Sequence, residues 1–155
     1  MFESLTEVTW THVPQPKWNP PTEVPNALRT LLNIEGEMEA ERGYHWLLYA
    51  LGNDHAGTYY PVGLWVVPFL GDALHHERPL VRETALSVLL DLVGSFEPEP
   101  EFETFHTSSG LEMPLKGALC DAVGKLRPDL VELASALTTR SLERACVTEL
   151  LSWIS

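Results

Sequence analysis

The sequence predicts an all-α fold in which pairs of antiparallel helices stack into a helical-hairpin solenoid. Two stretches carry this prediction, because Val24-Pro25 and Val67-Pro68 each stand in an apolar helical segment that is followed by a second apolar helix. Both second helices are expected to end at a glycine, Gly52 in one pair and Gly94 in the other. Repeated helix pairs that begin and end alike are typical of an α-solenoid, here of about seven helices.

The length and composition indicate one domain. The chain has 155 residues, 45% of them hydrophobic, which is enough for a single core and too little for two, so residues 1–155 form one unit. Residues 1–22 are predicted to be an extended arm, since four prolines between Pro14 and Pro21 remove backbone donors. Trp10 and Trp18 are expected to pack this arm over the end of the core, with contact to a partner as the alternative.

The first helix pair follows the arm. Apolar residues recur at steps of three and four from Val24 onward, and Gly36 interrupts them. A second helix is predicted from about Glu37 to Leu51, with an apolar face and with Glu37 and Glu41 on or near the opposite side. The two helices are expected to form a hairpin.

The second pair is predicted from Thr58 to Gly94. Thr58 is expected to cap a helix that carries Pro61 near its first turn and Pro68 inside, where a proline removes a hydrogen bond and bends the axis. Pro79 suits the first turn of the next helix, whose broad apolar stripe makes it the clearest helical pattern in the chain.

A long acidic loop is predicted at residues 95–112, where prolines alternate with glutamates and no helical period is visible. Helical patterns then resume three times. They begin at Pro114, at Pro128 with apolar positions through Leu137, and near Ser141 with apolar positions through Ile154.

The chain resembles the HEAT-repeat family in these features. The resemblance rests on Val24-Pro25, on Val67-Pro68 and on the stretch Pro79-Leu80-Val81-Arg82-Glu83-Thr84-Ala85-Leu86. Pro25 and Pro68 lie 43 residues apart, within the roughly 40 to 47 residues of a HEAT or armadillo unit. The resemblance implies a right-handed stack of helix pairs. The acidic loop departs from a regular repeat.

A narrower likeness concerns the connection between the two pairs. His55-Ala56-Gly57-Thr58-Tyr59, leading to Val67-Pro68-Phe69-Leu70, is similar to a group of small bacterial HEAT-like proteins. That likeness implies binding to a protein partner and, in some settings, neutralisation of a co-expressed toxin.

The charge balance narrows the possible partners. Twenty-two acidic residues against 10 basic ones give a formal charge of -12, which repels nucleic-acid phosphates and anionic lipid. The same charge favours encounter with a basic protein, although solubility alone would also account for it. No basic segment precedes an apolar run near the N-terminus, and no stretch approaches the roughly 20 apolar residues of a membrane span, so a cytoplasmic location is expected.

The sequence offers little catalytic chemistry. It has no phosphate-binding glycine loop and no motif that supplies a nucleophile, so we expect no enzyme and no cofactor. Some HEAT-like proteins excise alkylated DNA bases, but that use needs a basic groove. Asp72 and His76, four residues apart, are the minimum for a metal site, yet a helix C-terminus also favours histidine without a metal.

Cys120 and Cys146 lie in apolar helical patterns and are expected to be buried thiols.

Two sets of residues are candidates for partner binding. The first is the acidic segment, in which prolines hold the chain extended, glutamates project charge, and Phe102 and Phe105 offer anchors. Its candidate binding residues are Glu97, Glu99, Glu101, Phe102 and Glu103. The alternative is a solvated linker pinned to the helices by its phenylalanines. The second set is the helix face that carries Glu37, Glu41 and Tyr44.

The sequence therefore predicts a non-catalytic protein-binding module. The particular expectation is an immunity protein that binds and neutralises a basic toxin acting in the cytoplasm. The alternative is a general HEAT-repeat scaffold or adaptor for assembling protein complexes.

Overall fold

The computed structural model describes residues 2–136 and 140–154, and this part of the chain is mostly helical. Seven α-helices are present in the described residues: α1 (Glu23–Leu32), α2 (Glu37–Leu51), α3 (Gly63–Ala73), α4 (Pro79–Leu90), α5 (Leu115–Gly124), α6 (Arg127–Ser135) and α7 (Ser141–Ile154). The predicted number of helices is confirmed. Leu137, which the sequence pattern assigns to the sixth helix, lies outside the described residues.

The helix ends follow the expected signals at several points. Gly36 stands at the N-cap of α2 and Gly52 follows its last residue. Pro79 occupies the first position of α4, where its missing N–H breaks no helical hydrogen bond. Beyond Leu90 the chain continues through one wider π-helical turn, Asp91–Ser95, so Gly94 lies inside that turn.

Helix α4 occupies the centre of the fold. It packs against α2, α3 and α7, and six consecutive residues, 81–86, are buried. A helix with several neighbouring helices needs apolar residues on more than one side, which explains why its apolar stripe is so broad. Buried leucines and valines from α1, α2, α3, α5, α6 and α7 complete the core.

Two small β-sheets make the all-α prediction incomplete. Strands β1 (Gly52–Asn53) and β2 (Thr58–Tyr59) pair antiparallel, and β3 (Glu97–Pro98) pairs parallel with β2. Strands β4 (Thr104–His106) and β5 (Glu112–Pro114) form an antiparallel hairpin. The parallel pair joins positions about 40 residues apart, which no local pattern can indicate.

The β1–β2 turn overturns the predicted start of the third helix. Thr58 is not an N-cap, because its backbone lies in β2, and α3 begins only at Gly63, after Pro61. Gly57 makes the turn with a φ of +69°, a conformation that L side chains rarely adopt. Pro68 lies inside α3 as expected.

The acidic segment, predicted as a long loop at 95–112 with no helical period, has short regular elements within it. It contains β3, a short 3-10 helix at Pro100–Phe102, β4 and the start of β5. The Phe105 side chain is buried, and Phe102 packs on the core at partial burial. This segment consists of short elements held by long-range pairing, so its sequence shows no helical period.

The N-terminal arm folds back on the helices. It includes two 3-10 helices, Phe2–Thr6 and Trp10–His12, so it is not extended throughout. Trp10 is buried, its ring lies 6.3 Å from that of Phe69, and its Nε1 donates a hydrogen bond to the Leu5 carbonyl at 2.9 Å. The packing role predicted for Trp10 is therefore confirmed.

Candidate functional site

A groove lies on the exposed side of α2 and α4, beside the start of α7. We call it the α2–α4–α7 groove; it encloses about 390 Å³ and is lined by Glu37, Ala40, Glu41, Tyr44, Leu80, Glu83, Thr84, Ser87, Arg140 and Leu142. Steps of three and four residues place its members on one face of α2 and one face of α4. The groove thus contains all three members of the second predicted set, Glu37, Glu41 and Tyr44.

Glu83 is the most buried acid in the groove. Its side chain is 7% exposed, and one carboxylate oxygen lies 3.1 Å from Arg140 Nε. Burial raises the pKa of Glu83, and the charges of Glu143 and Glu37 act in the same direction, against the lowering effect of Arg140 and Arg82. Arg140 is half-exposed, so it can leave this carboxylate without crossing the core.

Tyr44 is held at the edge of the groove by Asp91, the first residue of the π-helical turn that follows α4. Its hydroxyl donates a hydrogen bond to Asp91 Oδ2. Burial, this hydrogen bond and the charges of Asp91 and Asp54 together raise the pKa of Tyr44 well above its usual range. The phenol is therefore neutral at physiological pH, and the negative charge beside it belongs to the carboxylates.

A buried ion pair lies between α4 and α7, two of the helices that contribute residues to the groove. Arg82 donates from Nε and Nη2 to the two carboxylate oxygens of Glu143, each at 2.9 Å, and Glu143 is fully buried. Arg82 Nη1 also donates to the carbonyl oxygens of His76, at 2.7 Å, and Glu77, at 3.0 Å. This bidentate pair joins α4 to α7 and so sets the spacing of two groove walls.

The acidic-segment candidates lie elsewhere on the protein. Glu97 and Glu103 line a different cavity, in which Glu97 pairs with Lys116 Nζ at 2.5 Å. Glu99 accepts a hydrogen bond from Thr58 Oγ1 at 2.6 Å, and the Phe102 ring lies 5.2 Å from that of Tyr60. Glu101 is exposed. Three of these five residues therefore serve internal contacts, and the predicted anchor Phe105 is buried and unable to reach a partner.

His76, which was considered for a metal site, and its neighbour His75 have protein contacts of their own. His75 Nε2 lies 3.1 Å from Asp129 Oδ1, and His76 Nδ1 accepts a hydrogen bond from the backbone N–H of Arg78 at 3.1 Å. Within residues 2–136 and 140–154, no group of three or more His, Cys, Asp or Glu side chains is arranged to hold a metal ion. Cys146 is buried and Cys120 is half-buried; both are free thiols, and burial raises the pKa of each.

Glu83 and Arg140 are the groove residues that sequence reasoning missed. Glu83 falls within the broad apolar pattern of α4, where one acidic residue gives no sign of its environment. Its partner is more than 50 positions away in the chain, so only the packing of α7 on α4 reveals the pair.

Comparisons of the chain with protein-family models, with curated proteins and with solved structures found no match. Among the described helices, none combines the length and apolar character that a membrane span requires.

Proposed function

We propose that this chain is a non-catalytic protein-binding module that holds a basic segment of a partner protein in the α2–α4–α7 groove. The carrying observation is the composition of the groove, which places three carboxylates, from Glu37, Glu41 and Glu83, around one cation, Arg140. Leu80 and Leu142 supply apolar walls beside them. A lysine or arginine can lay its apolar stem on such walls while its charged end meets the carboxylates.

The two exposed glutamates of α2 favour this occupant. No lysine, arginine or histidine in the described part of the chain forms an ion pair with Glu37 or Glu41. The formal charge of -12 adds a long-range attraction for a basic protein and raises the rate of encounter at low salt. The groove and the overall charge thus both favour a basic protein as the partner.

The arrangement of the helices supports a HEAT-like stack as the finer form of this proposal. The second helices of the two predicted pairs, α2 and α4, pack against each other, and α7 also packs on α4. Stacked helix pairs of an α-solenoid form an extended concave surface that binds partners.

The particular function proposed is immunity: the chain binds a basic toxin in the cytoplasm and blocks its activity. Small size, negative charge and the likeness of His55–Tyr59 to small bacterial HEAT-like proteins support this form. A scaffold or adaptor role is the alternative, and it predicts several unrelated partners rather than one.

The first experiment recovers the partner and tests the groove with matched variants. Tagged protein is used to capture partners from its host at low and high salt, and the recovered protein is purified for affinity measurements. The double variant Glu37→Gln/Glu41→Gln should raise its Kd by about 2- to 30-fold, since an exposed ion pair contributes roughly 0.2–1 kcal/mol. The control, Glu101→Gln/Glu103→Gln, removes the same charge from the acidic segment and should leave Kd nearly unchanged.

Each outcome decides between the alternatives. A single basic partner whose binding weakens at high salt and in the groove variant supports the proposal, and growth arrest by that partner, relieved by this chain, supports immunity. Equal Kd for the groove variant and the unaltered protein would remove the groove from the interface. A loss confined to the segment variant would transfer the interface to the acidic segment.

A further inference from the structure

A second pocket combines exposed aromatic rings with a carboxylate on a different part of the surface. It encloses about 270 Å³ between the N-terminal arm and the end of α2, and it is lined by Trp18, Tyr49, Asn53, Asp54 and His55. Trp18 is 43% exposed and Tyr49 is 46% exposed, so both rings present surface to solvent. Large aromatic side chains exposed together are unusual on a surface that serves no contact.

The two rings are held in place by contacts with the fold. Their centroids lie 5.6 Å apart, and Trp18 Nε1 donates a hydrogen bond to the Tyr49 carbonyl at 3.3 Å. Beside Trp18, Asn19 Nδ2 donates to the Ala50 carbonyl at 2.7 Å, which ties the arm to α2. The pocket is therefore preformed, and a ligand would not have to order it.

The turn that supplies the carboxylate is also fixed. Asn53 Oδ1 accepts a hydrogen bond from the backbone N–H of Ala56 at 3.1 Å, across Asp54 and His55. No described lysine, arginine or histidine forms an ion pair with Asp54. An unpaired carboxylate next to exposed aromatic faces is suited to a cation.

Further acidic charge surrounds the aromatic rings. Tyr60, whose ring contacts Trp18 edge-on at 6.2 Å, has its pKa raised by burial and by the charges of Glu99 and Glu101. Asp54 likewise contributes to the raised pKa of Tyr44 in the α2–α4–α7 groove, after burial and Asp91. Acidic side chains thus lie near both the groove and the aromatic pocket. His55 lines the pocket, and Lys17, next to Trp18 in the chain, is exposed.

We propose that the pocket of Trp18, Tyr49 and Asp54 receives an arginine side chain from a protein partner. Charge complementarity selects a cation, and the flat aromatic faces select arginine over lysine. A guanidinium can stack on an indole or phenol ring while its edge N–H groups donate to a carboxylate, whereas a compact ammonium has no flat face to stack. The pocket is a second contact surface, separate from the α2–α4–α7 groove.

The test uses the indole N–H signals of the ¹⁵N-labelled full chain. The signal of Trp18 is assigned with Trp18→Phe and that of Trp65 with Trp65→Phe. The probes are acetyl-Gly-Arg-Gly-amide and its citrulline counterpart, which keeps the shape of arginine but carries no charge. Trp65 is the internal control, because it is 37% exposed in a groove whose lining residues include no ionisable side chain.

The expected result is a saturable shift of the Trp18 signal with the arginine peptide. The citrulline peptide should give a weaker response, and the Trp65 signal should move with neither. Asp54→Asn, which keeps the side-chain shape, should weaken arginine-peptide binding by about two- to five-fold, the range of a solvent-exposed cation–aromatic or ion-pair contact. Equal shifts with both peptides, equal shifts at Trp18 and Trp65, or no shift at Trp18 would overturn the proposal.

The groove variant separates this proposal from the one above. Glu37→Gln/Glu41→Gln should leave the Trp18 response to the arginine peptide unchanged, because neither residue lines this pocket. Weaker partner binding with an intact Trp18 response is the result expected if the groove and the pocket are separate surfaces, whereas loss of that response in the groove variant would contradict a separate arginine pocket.

Discussion

Replacing one member of the Arg82–Glu143 pair should destabilise the protein much more than replacing both. Glu143 is fully buried and accepts both of its short hydrogen bonds from Arg82. In Arg82→Met, the carboxylate keeps its place between α4 and α7 but loses the only cation that contacts it among the described residues. Breaking a buried pair in this way costs about 3–5 kcal/mol, because an uncompensated charge stays in the interior.

Replacing Glu143 instead of Arg82 should cost less stability. In Glu143→Gln the guanidinium keeps the carbonyl oxygens of His76 and Glu77, and the amide oxygen of glutamine can still accept one hydrogen bond. The expected loss is about 1.5–3 kcal/mol, that of a weakened charge-assisted hydrogen bond. The double variant Arg82→Met/Glu143→Leu removes both charges and should lie within about 1 kcal/mol of the unaltered protein.

Urea denaturation of the four proteins at neutral pH measures these differences. For a chain of this length, 3–5 kcal/mol corresponds to a fall in Tm of roughly 6–20 °C. The reasoning fails if Arg82→Met loses less than about 1 kcal/mol, or if the double variant is as unstable as Arg82→Met.

Three further predictions concern glycine, tyrosine and glutamate positions. A Cβ at Gly52 would collide with the Thr58 carbonyl oxygen, so Gly52→Ala should cost at least about 1–3 kcal/mol in urea denaturation. Gly117→Ala, in open space on α5, should instead stabilise by about 0.4–1 kcal/mol, and equal effects would contradict the close approach of β1 and β2. Tyr44→Phe loses the hydrogen bond to Asp91 and should cost about 0.5–1.5 kcal/mol, while Tyr59→Phe removes a buried hydroxyl that has no hydrogen-bond partner among the described residues and should be neutral or stabilising, so a loss above 1 kcal/mol at Tyr59 would refute this contrast. Because the pKa of Glu83 is raised in the folded state, the native protein binds more protons than the unfolded chain just above the ordinary pKa of glutamate, and stability falls as pH rises through that window; Glu83→Gln should flatten this fall, and an unchanged pH dependence would show that Glu83 does not cause it.

The match between sequence and structure is best where local signals suffice. Periodic apolar residues, with Gly36 and Pro79 at helix starts and Gly52 after a helix end, located α1, α2 and α4 closely, and the same reasoning found α5, α6 and α7. The second predicted set, Glu37, Glu41 and Tyr44, lies together in the α2–α4–α7 groove, and its part in partner binding stays a prediction. Partner binding, toxin neutralisation and the HEAT-like stack remain predictions that the proposed experiments test.

The tertiary structure decided the features that depend on distant pairs. Thr58 forms a strand because Asn53 and Glu97 pair with it, and the acidic segment has regular structure because β3 joins that sheet while Phe105 enters the core. A two-residue strand has no period of its own, so its partner determines whether it exists.

The candidate surfaces show the same division. The sequence by itself determined an acidic, mostly helical chain and one charged helix face, because composition and helical spacing are local properties. Only the packing of α7 on α4 placed Arg140 beside Glu83 and Arg82 on Glu143, and only the folding back of the arm placed Trp18 on Tyr49. Burial and electrostatic contact depend on which distant segments meet, and that is set by the free energy of the whole core rather than by any one stretch of chain.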